Sequence, residues 1–136
     1  MEVEIRYRNC NNLSRRFLYD FKCCCGIEIL GGLNEAADSI VQEFRRNFAK
    51  TLDASFRQDV HVECASFLDT DWSDGDVVFA NSTCFEDDLM ADMGKQAEKL
   101  KPGAFFITFT KGLGSDAFEV LERKRYCMSA LSHSVP

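Results

Sequence analysis

Two kinds of apolar pattern alternate along the chain. Cys23 to Leu30 is short and apolar at nearly every position, and closes on Glu28-Ile29-Leu30 and the pair Gly31-Gly32. That is the pattern of a strand buried on both faces. From Leu33 onward the apolar residues return at three- and four-residue spacing, through Ala36, Ala37, Ile40, Val41, Phe44 and Phe48, with Asn34, Glu35, Asp38, Glu43 and Arg45 between them. This spacing predicts an amphipathic helix that lays one face on a sheet.

The alternation then repeats. Val60 to Phe67, with Val62 and Cys64 on the same side as Val60, reads as a second strand, and Asp74-Gly75 as a turn into a third strand at Asp76 to Asn81. Glu86 to Leu100 carries Leu89, Met90, Met93, Ala97 and Leu100 at helical spacing. Its acids come first and Lys95, Lys99 and Lys101 last, as the helix dipole favours, and Pro102-Gly103 ends it. Ala104 to Thr110 predicts a fourth buried strand, and Ser115 caps a short helix to about Arg123. Nearer the ends, Val3, Ile5 and Tyr7 permit a short strand, Asn11-Asn12 a cap for a helix from Leu13 to about Tyr19, and Ser129 to Pro136 reads as coil. Strands alternating with helices imply an α/β fold with a mostly parallel, doubly wound sheet. At 136 residues the expectation is a single domain over residues 1–136.

Composition narrows the function classes. The longest apolar stretch, Ala104 to Phe109, is far short of the roughly twenty residues of a membrane span, and the first residues lack a signal-peptide order. No membrane partner is expected. A net charge of -6 argues against a nucleic-acid-binding patch that works through phosphates, although an acidic surface suits a basic protein partner. The seven cysteines are odd in number and include the consecutive Cys23, Cys24 and Cys25, so reduced thiols are expected. In a strand Cys23 and Cys25 share one face and Cys24 takes the other. With no CxxC pair and only His61 and His133 as imidazoles, the expectation is no metal site.

In doubly wound sheets ligands sit outside the carboxyl ends of the strands. Three such ends carry candidate chemistry. Glu28 closes the first strand, where an acid can accept both hydroxyls of a nucleoside ribose, or can simply face solvent. At the second end Phe67 could cover an adenine face beside the polar Ser66, or be ordinary core. The third end, Asn81-Ser82-Thr83-Cys84-Phe85, could orient a substrate amine, or cap the following helix.

Four segments carry a resemblance beyond spacing. Gly-Ile-Glu-Ile-Leu at 26–30, Ser-Phe-Leu-Asp-Thr-Asp-Trp at 66–72, Asp-Val-Val-Phe-Ala-Asn-Ser-Thr-Cys-Phe at 76–85 and Leu-Lys-Pro-Gly-Ala-Phe-Phe-Ile-Thr-Phe-Thr-Lys at 100–111 resemble successive motifs of the Dot-one (disruptor of telomeric silencing) histone-lysine methyltransferase domain, as in protists and algae. The resemblance spans about Phe17 to Met128. It implies a Rossmann-like class I methyltransferase fold, here incomplete, with S-adenosylmethionine as cofactor, a histone in the nucleosome as substrate, and a nuclear location. By the same resemblance Gly26, Glu28, Ser66, Phe67 and Asn81 contact the cofactor: Glu28 the ribose, Ser66 and Phe67 the adenine. Asn81 and Phe85 are the catalytic candidates, where the methyl donor meets the lysine channel. The family usually has an aspartate where this chain has Ser66, which implies weaker cofactor binding.

A glycine-rich turn should precede the ribose acid by roughly twenty residues, because glycine lets the backbone approach the cofactor closely. The matching stretch Val3 to Cys10 has no glycine, and Gly31-Gly32 follows the acid. The domain is therefore expected to be a partial one, and a non-enzymatic interaction module derived from a methyltransferase stands as the alternative. A nicotinamide-dependent dehydrogenase and a small-molecule methyltransferase are rivals on the same fold. The first would carry a GxGxxG loop, which this sequence lacks.

Overall fold

A computed structural model describes residues 21–47 and 59–125. The strand at Val3 to Tyr7, the helix at Leu13 to Tyr19, Phe48, and the tail from Ser129 lie outside the described residues. Within them the chain runs β1 (Cys23–Glu28), α1 (Gly31–Asn47), β2 (Asp59–Cys64), β3 (Val77–Ala80), a 3-10 turn (Ser82–Cys84), α2 (Asp87–Ala97) and β4 (Phe105–Thr108). The order of strands and helices through β4 is the one the apolar pattern predicts.

Each helix is the crossover of a parallel strand pair, as parallel pairing requires. β1 pairs with β2 from Cys23 opposite Asp59 to Glu28 opposite Cys64. β3 pairs with β4 from Val77 opposite Phe105 to Ala80 opposite Thr108. The expected single sheet is therefore realised as two two-stranded parallel sheets, and among the described residues no backbone ladder joins them. What joins them is side-chain packing. Cys25 and Ile27 of β1 share one buried cluster with Trp72, with Val78 of β3, with Ala97 at the end of α2 and with Leu100 just beyond it. Trp72 is 1% exposed, its indole N–H donates to the carbonyl of Phe67 at 2.8 Å, and its ring tilts against Phe106 at 6.0 Å. A buried aromatic of this size typically contributes about 3–5 kcal/mol over alanine.

Three expectations are corrected. First, the strands are shorter than their apolar runs. β2 stops at Cys64 because the Ser66 carbonyl turns the chain, accepting from the amides of Asp69 and Thr70 and from the Thr70 hydroxyl. Second, no helix forms over Ser115–Arg123. The segment makes only a turn, with Phe118 N–H donating to Ser115, while Val120 and Leu121 are exposed. So short a segment does not hold a helix without an apolar face to pack. Third, among the described residues the faces are not covered on both sides. Of the predicted α1 face only Val41 is buried, while Leu33 and Ile40 are exposed; on β4, Phe105 and Ile107 point outward.

α2 approaches the chain closely at one point. A Cβ on Gly94 would lie 2.8 Å from the Leu113 carbonyl oxygen, whereas at Gly32, in the first turn of α1, it would meet nothing within 4 Å. Gly94→Ala is therefore expected to lower stability by about 1–3 kcal/mol through overpacking. Gly32→Ala is expected to raise it by about 0.5–1 kcal/mol through helix propensity. Urea unfolding of both variants measures the two signs.

Candidate functional site

The candidate residues lie at the carboxyl ends of the strands, and short contacts link those ends in series. Glu28, the last residue of β1, is buried, and one carboxylate oxygen accepts from the Leu30 amide at 2.9 Å. Its own carbonyl accepts from Ala65 N–H at 3.2 Å, which fixes the exit of β2 beside the exit of β1. Ser66 and Phe67 follow. The Ser66 hydroxyl accepts from the Leu68 amide at 3.2 Å, a local turn that leaves a second lone pair. Gln96 of α2 braces this loop by donating to the Thr70 carbonyl at 3.1 Å.

The exit of β3 is tied to the same loop by aromatic packing. Phe67 and Phe85 stack with centroids 5.9 Å apart and planes 3° apart. Phe85 is itself buried in a second cluster with Ala80, Met90 and Met93. The expected channel wall is thus a core side chain whose ring supports the half-buried Phe67. Asn81, also half-buried, precedes the 3-10 turn, and its side-chain oxygen accepts from the Thr83 hydroxyl at 3.0 Å. Gly26 sits within β1 opposite Val62 and does not reach the strand end. Glu28, Ser66, Phe67, Asn81 and Phe85 therefore line one series of strand exits, with Gly26 set back from it.

The fourth exit is held by a residue that sequence alone does not single out. Ser82 is fully buried; its hydroxyl donates to the Phe109 carbonyl at 2.6 Å and accepts from the Phe109 amide at 3.1 Å. The next residue, Thr110, takes φ of 68°, and Lys111 N–H closes back on Phe109 at 2.7 Å. This is a γ-turn of the strained hand, on a β-branched residue that disfavours it. Lys111 then pairs with Asp87 at the start of α2, 2.6 Å away. Thr83 beside Ser82 is exposed, and nothing in the residue types distinguishes the two in advance. Asn34, in the first turn of α1, is also unmarked in the sequence. Its Nδ2 is the buried side-chain polar atom among the described residues that has no hydrogen-bond partner.

Among the described residues Cys23, Cys24, Cys25, Cys64 and Cys84 are free thiols. Burial, with a smaller effect from neighbouring Cys23, pushes the Cys24 thiol up from 9.0 to about 11. No family model, curated protein or solved structure matches the chain.

Two outcomes follow from this geometry. Ser82→Ala strands the part-buried Phe109 amide, while the Phe109 carbonyl keeps the Lys111 N–H, and should lower stability by about 1–3 kcal/mol. Thr83→Ala should stay within about 0.5 kcal/mol. Both are read by urea unfolding. At pH 8 the raised Cys24 value lowers its thiolate fraction about a hundredfold against an ordinary thiol. Iodoacetamide should therefore alkylate the exposed Cys64 and Cys84 well before Cys24, and the lag should close as pH rises towards 11. Peptide mass mapping over time reads the order.

Proposed function

We propose that this chain is an S-adenosylmethionine-binding domain of the class I methyltransferase fold, acting as a histone-lysine N-methyltransferase of the Dot-one type. The observation that carries the reading is a buried carboxylate, Glu28, at the carboxyl end of a parallel strand, hydrogen-bonded through its backbone to the neighbouring exit that bears Ser66 and Phe67. An acid there accepts ribose hydroxyls, and an aromatic at the adjacent exit covers a base. Ser66 accepts from an adenine amino group through its remaining lone pair. Gly26 shapes the approach from within β1. Asn81, whose side-chain oxygen is occupied by Thr83, offers its amide nitrogen at the third exit.

The bound cofactor supplies an electrophilic methyl group on a sulfonium. The chain's task is to hold the acceptor amine in line and to keep water away, which are positioning effects worth several powers of ten. The lysine amine must reach the site neutral, and an apolar surrounding favours that form. Phe67, backed by the buried ring of Phe85, supplies apolar surface at the adjoining exit. The chain's net charge of -6 complements a basic histone in the nucleosome, and the nucleus is the corresponding location.

One observation favours a second reading, a non-enzymatic interaction module: no glycine occurs in the sequence before Gly26, so the turn that brings backbone amides to a cofactor is not among its residues. Isothermal titration with S-adenosylmethionine and S-adenosylhomocysteine separates the two. The methyltransferase reading expects saturable binding that Glu28→Ala weakens at least about tenfold, roughly 1.4 kcal/mol, and methyl transfer to nucleosomes. Absence of binding to the folded chain overturns it and leaves the module.

A further inference from the structure

We propose that the sheet face of β1 and β2 carries a binding site for one zinc-class divalent cation, with Cys25, His61 and Glu63 as ligands. The inference is independent of the methyltransferase reading, since it uses none of the residues at the strand exits.

Parity and register build the site. Cys23, Cys25 and Ile27 share one face of β1, and Asp59, His61 and Glu63 share one face of β2. The parallel register sets Cys25 opposite His61 and Ile27 opposite Glu63, so a thiol, an imidazole and a carboxylate converge on one patch. Their ligand atoms lie within 4.8 Å of one another. A tetrahedral shell with bonds of about 2.0–2.3 Å needs ligand atoms about 3.3–3.6 Å apart, so closure requires a contraction of about 1 Å, within side-chain reach. His61 Nε2 stands 3.7 Å from Glu63 Oε1, too far for a hydrogen bond but near the edge of such a tetrahedron.

The same imidazole offers a second set, since Cys23, Asp59 and His61 also converge within 4.8 Å, with Nδ1 at 3.8 Å from Asp59. Two observations select the first set. Asp59 is drawn to Arg45, whose guanidinium stands 3.7 Å away, whereas among the described residues the neighbour of the Glu63 carboxylate is the His61 imidazole. Cys25 is 3% exposed, which shelters a thiolate from competing water, while His61 and Glu63 remain partly open and give the ion an entry path. One thiolate and one carboxylate neutralise the charge of a divalent ion, and a neutral imidazole with a water completes four positions. Thiolate and imidazole together select zinc-class ions over magnesium or calcium, which take oxygen shells. Binding would release the thiol proton, so affinity should fall as pH drops. The ion would clip β1 to β2 through side chains.

The test uses the full chain stripped of metal by chelator. Titration with zinc against a chromophoric chelator should give one ion per chain. Cobalt should give a tetrahedral visible spectrum with thiolate charge-transfer absorption in the near ultraviolet. Cys25→Ser, His61→Gln and Glu63→Gln should each weaken binding at least about tenfold, and Cys23→Ser by no more than about twofold. Circular dichroism checks that each variant folds. Should Cys25→Ser fail that check, His61→Gln and Glu63→Gln, at partly exposed positions, carry the test. Binding weaker than about micromolar in the parent chain, undiminished binding in His61→Gln, or an equal loss in Cys23→Ser overturns the assignment.

Discussion

The architecture rests on one constraint: the two strand pairs meet through side chains and not through a backbone ladder. Within each pair the strands are fixed by hydrogen bonds of defined register. Between pairs the work falls to Cys25, Ile27, Trp72 and Val78. Apolar packing of this kind is non-directional, so something must set the angle at which the halves meet. The indole of Trp72 does this, because its N–H is bound to the Phe67 carbonyl while its ring lies against Phe106. A directional bond at the centre of a non-directional contact gives the junction one geometry.

That geometry delivers the strand exits to one another. Glu28 and Ala65 are joined through the backbone, Phe67 and Phe85 through their rings, Ser82 and Phe109 through a two-way hydrogen bond. Each link uses a different interaction, so loosening one leaves the others in place. The strained turn at Thr110 lies immediately after the last link and is held open at that angle by Ser82 on one side and by the Lys111 pair with Asp87 on the other. Strain of this sort persists only where the surroundings over-determine it.

Much of this was legible in the sequence, and the parts that were not share a cause. The runs at Cys23–Leu30 and Asp76–Asn81 and the helical spacing of Leu89, Met90, Met93 and Ala97 announced β1, β3 and α2, because period and length are local properties. Their pairing into parallel couples followed from alternation of strand and helix. Where β2 ends was hidden, since Ser66 turns the chain through its carbonyl, which every residue has. Which face of α1 is covered was hidden too, because periodicity marks an apolar face but not the presence of a surface for it; Ile40 fits the pattern and stands exposed. The convergence of His61 on Cys25 depends on register, and register spans residues far apart in sequence. Two histidines and the absence of a CxxC pair argue against metal ligation in the sequence; that Cys25, His61 and Glu63 lie on one face follows only from the register.

Trp72 is the sole tryptophan of the chain. Its burial at the junction makes the tryptophan emission, excited selectively over the three tyrosines, a single-site signal from the contact between the halves. Separation of the two strand pairs would wet the indole even with every strand and helix intact. Emission and far-ultraviolet dichroism therefore watch different events in this molecule: the first follows the junction, the second the elements on either side of it.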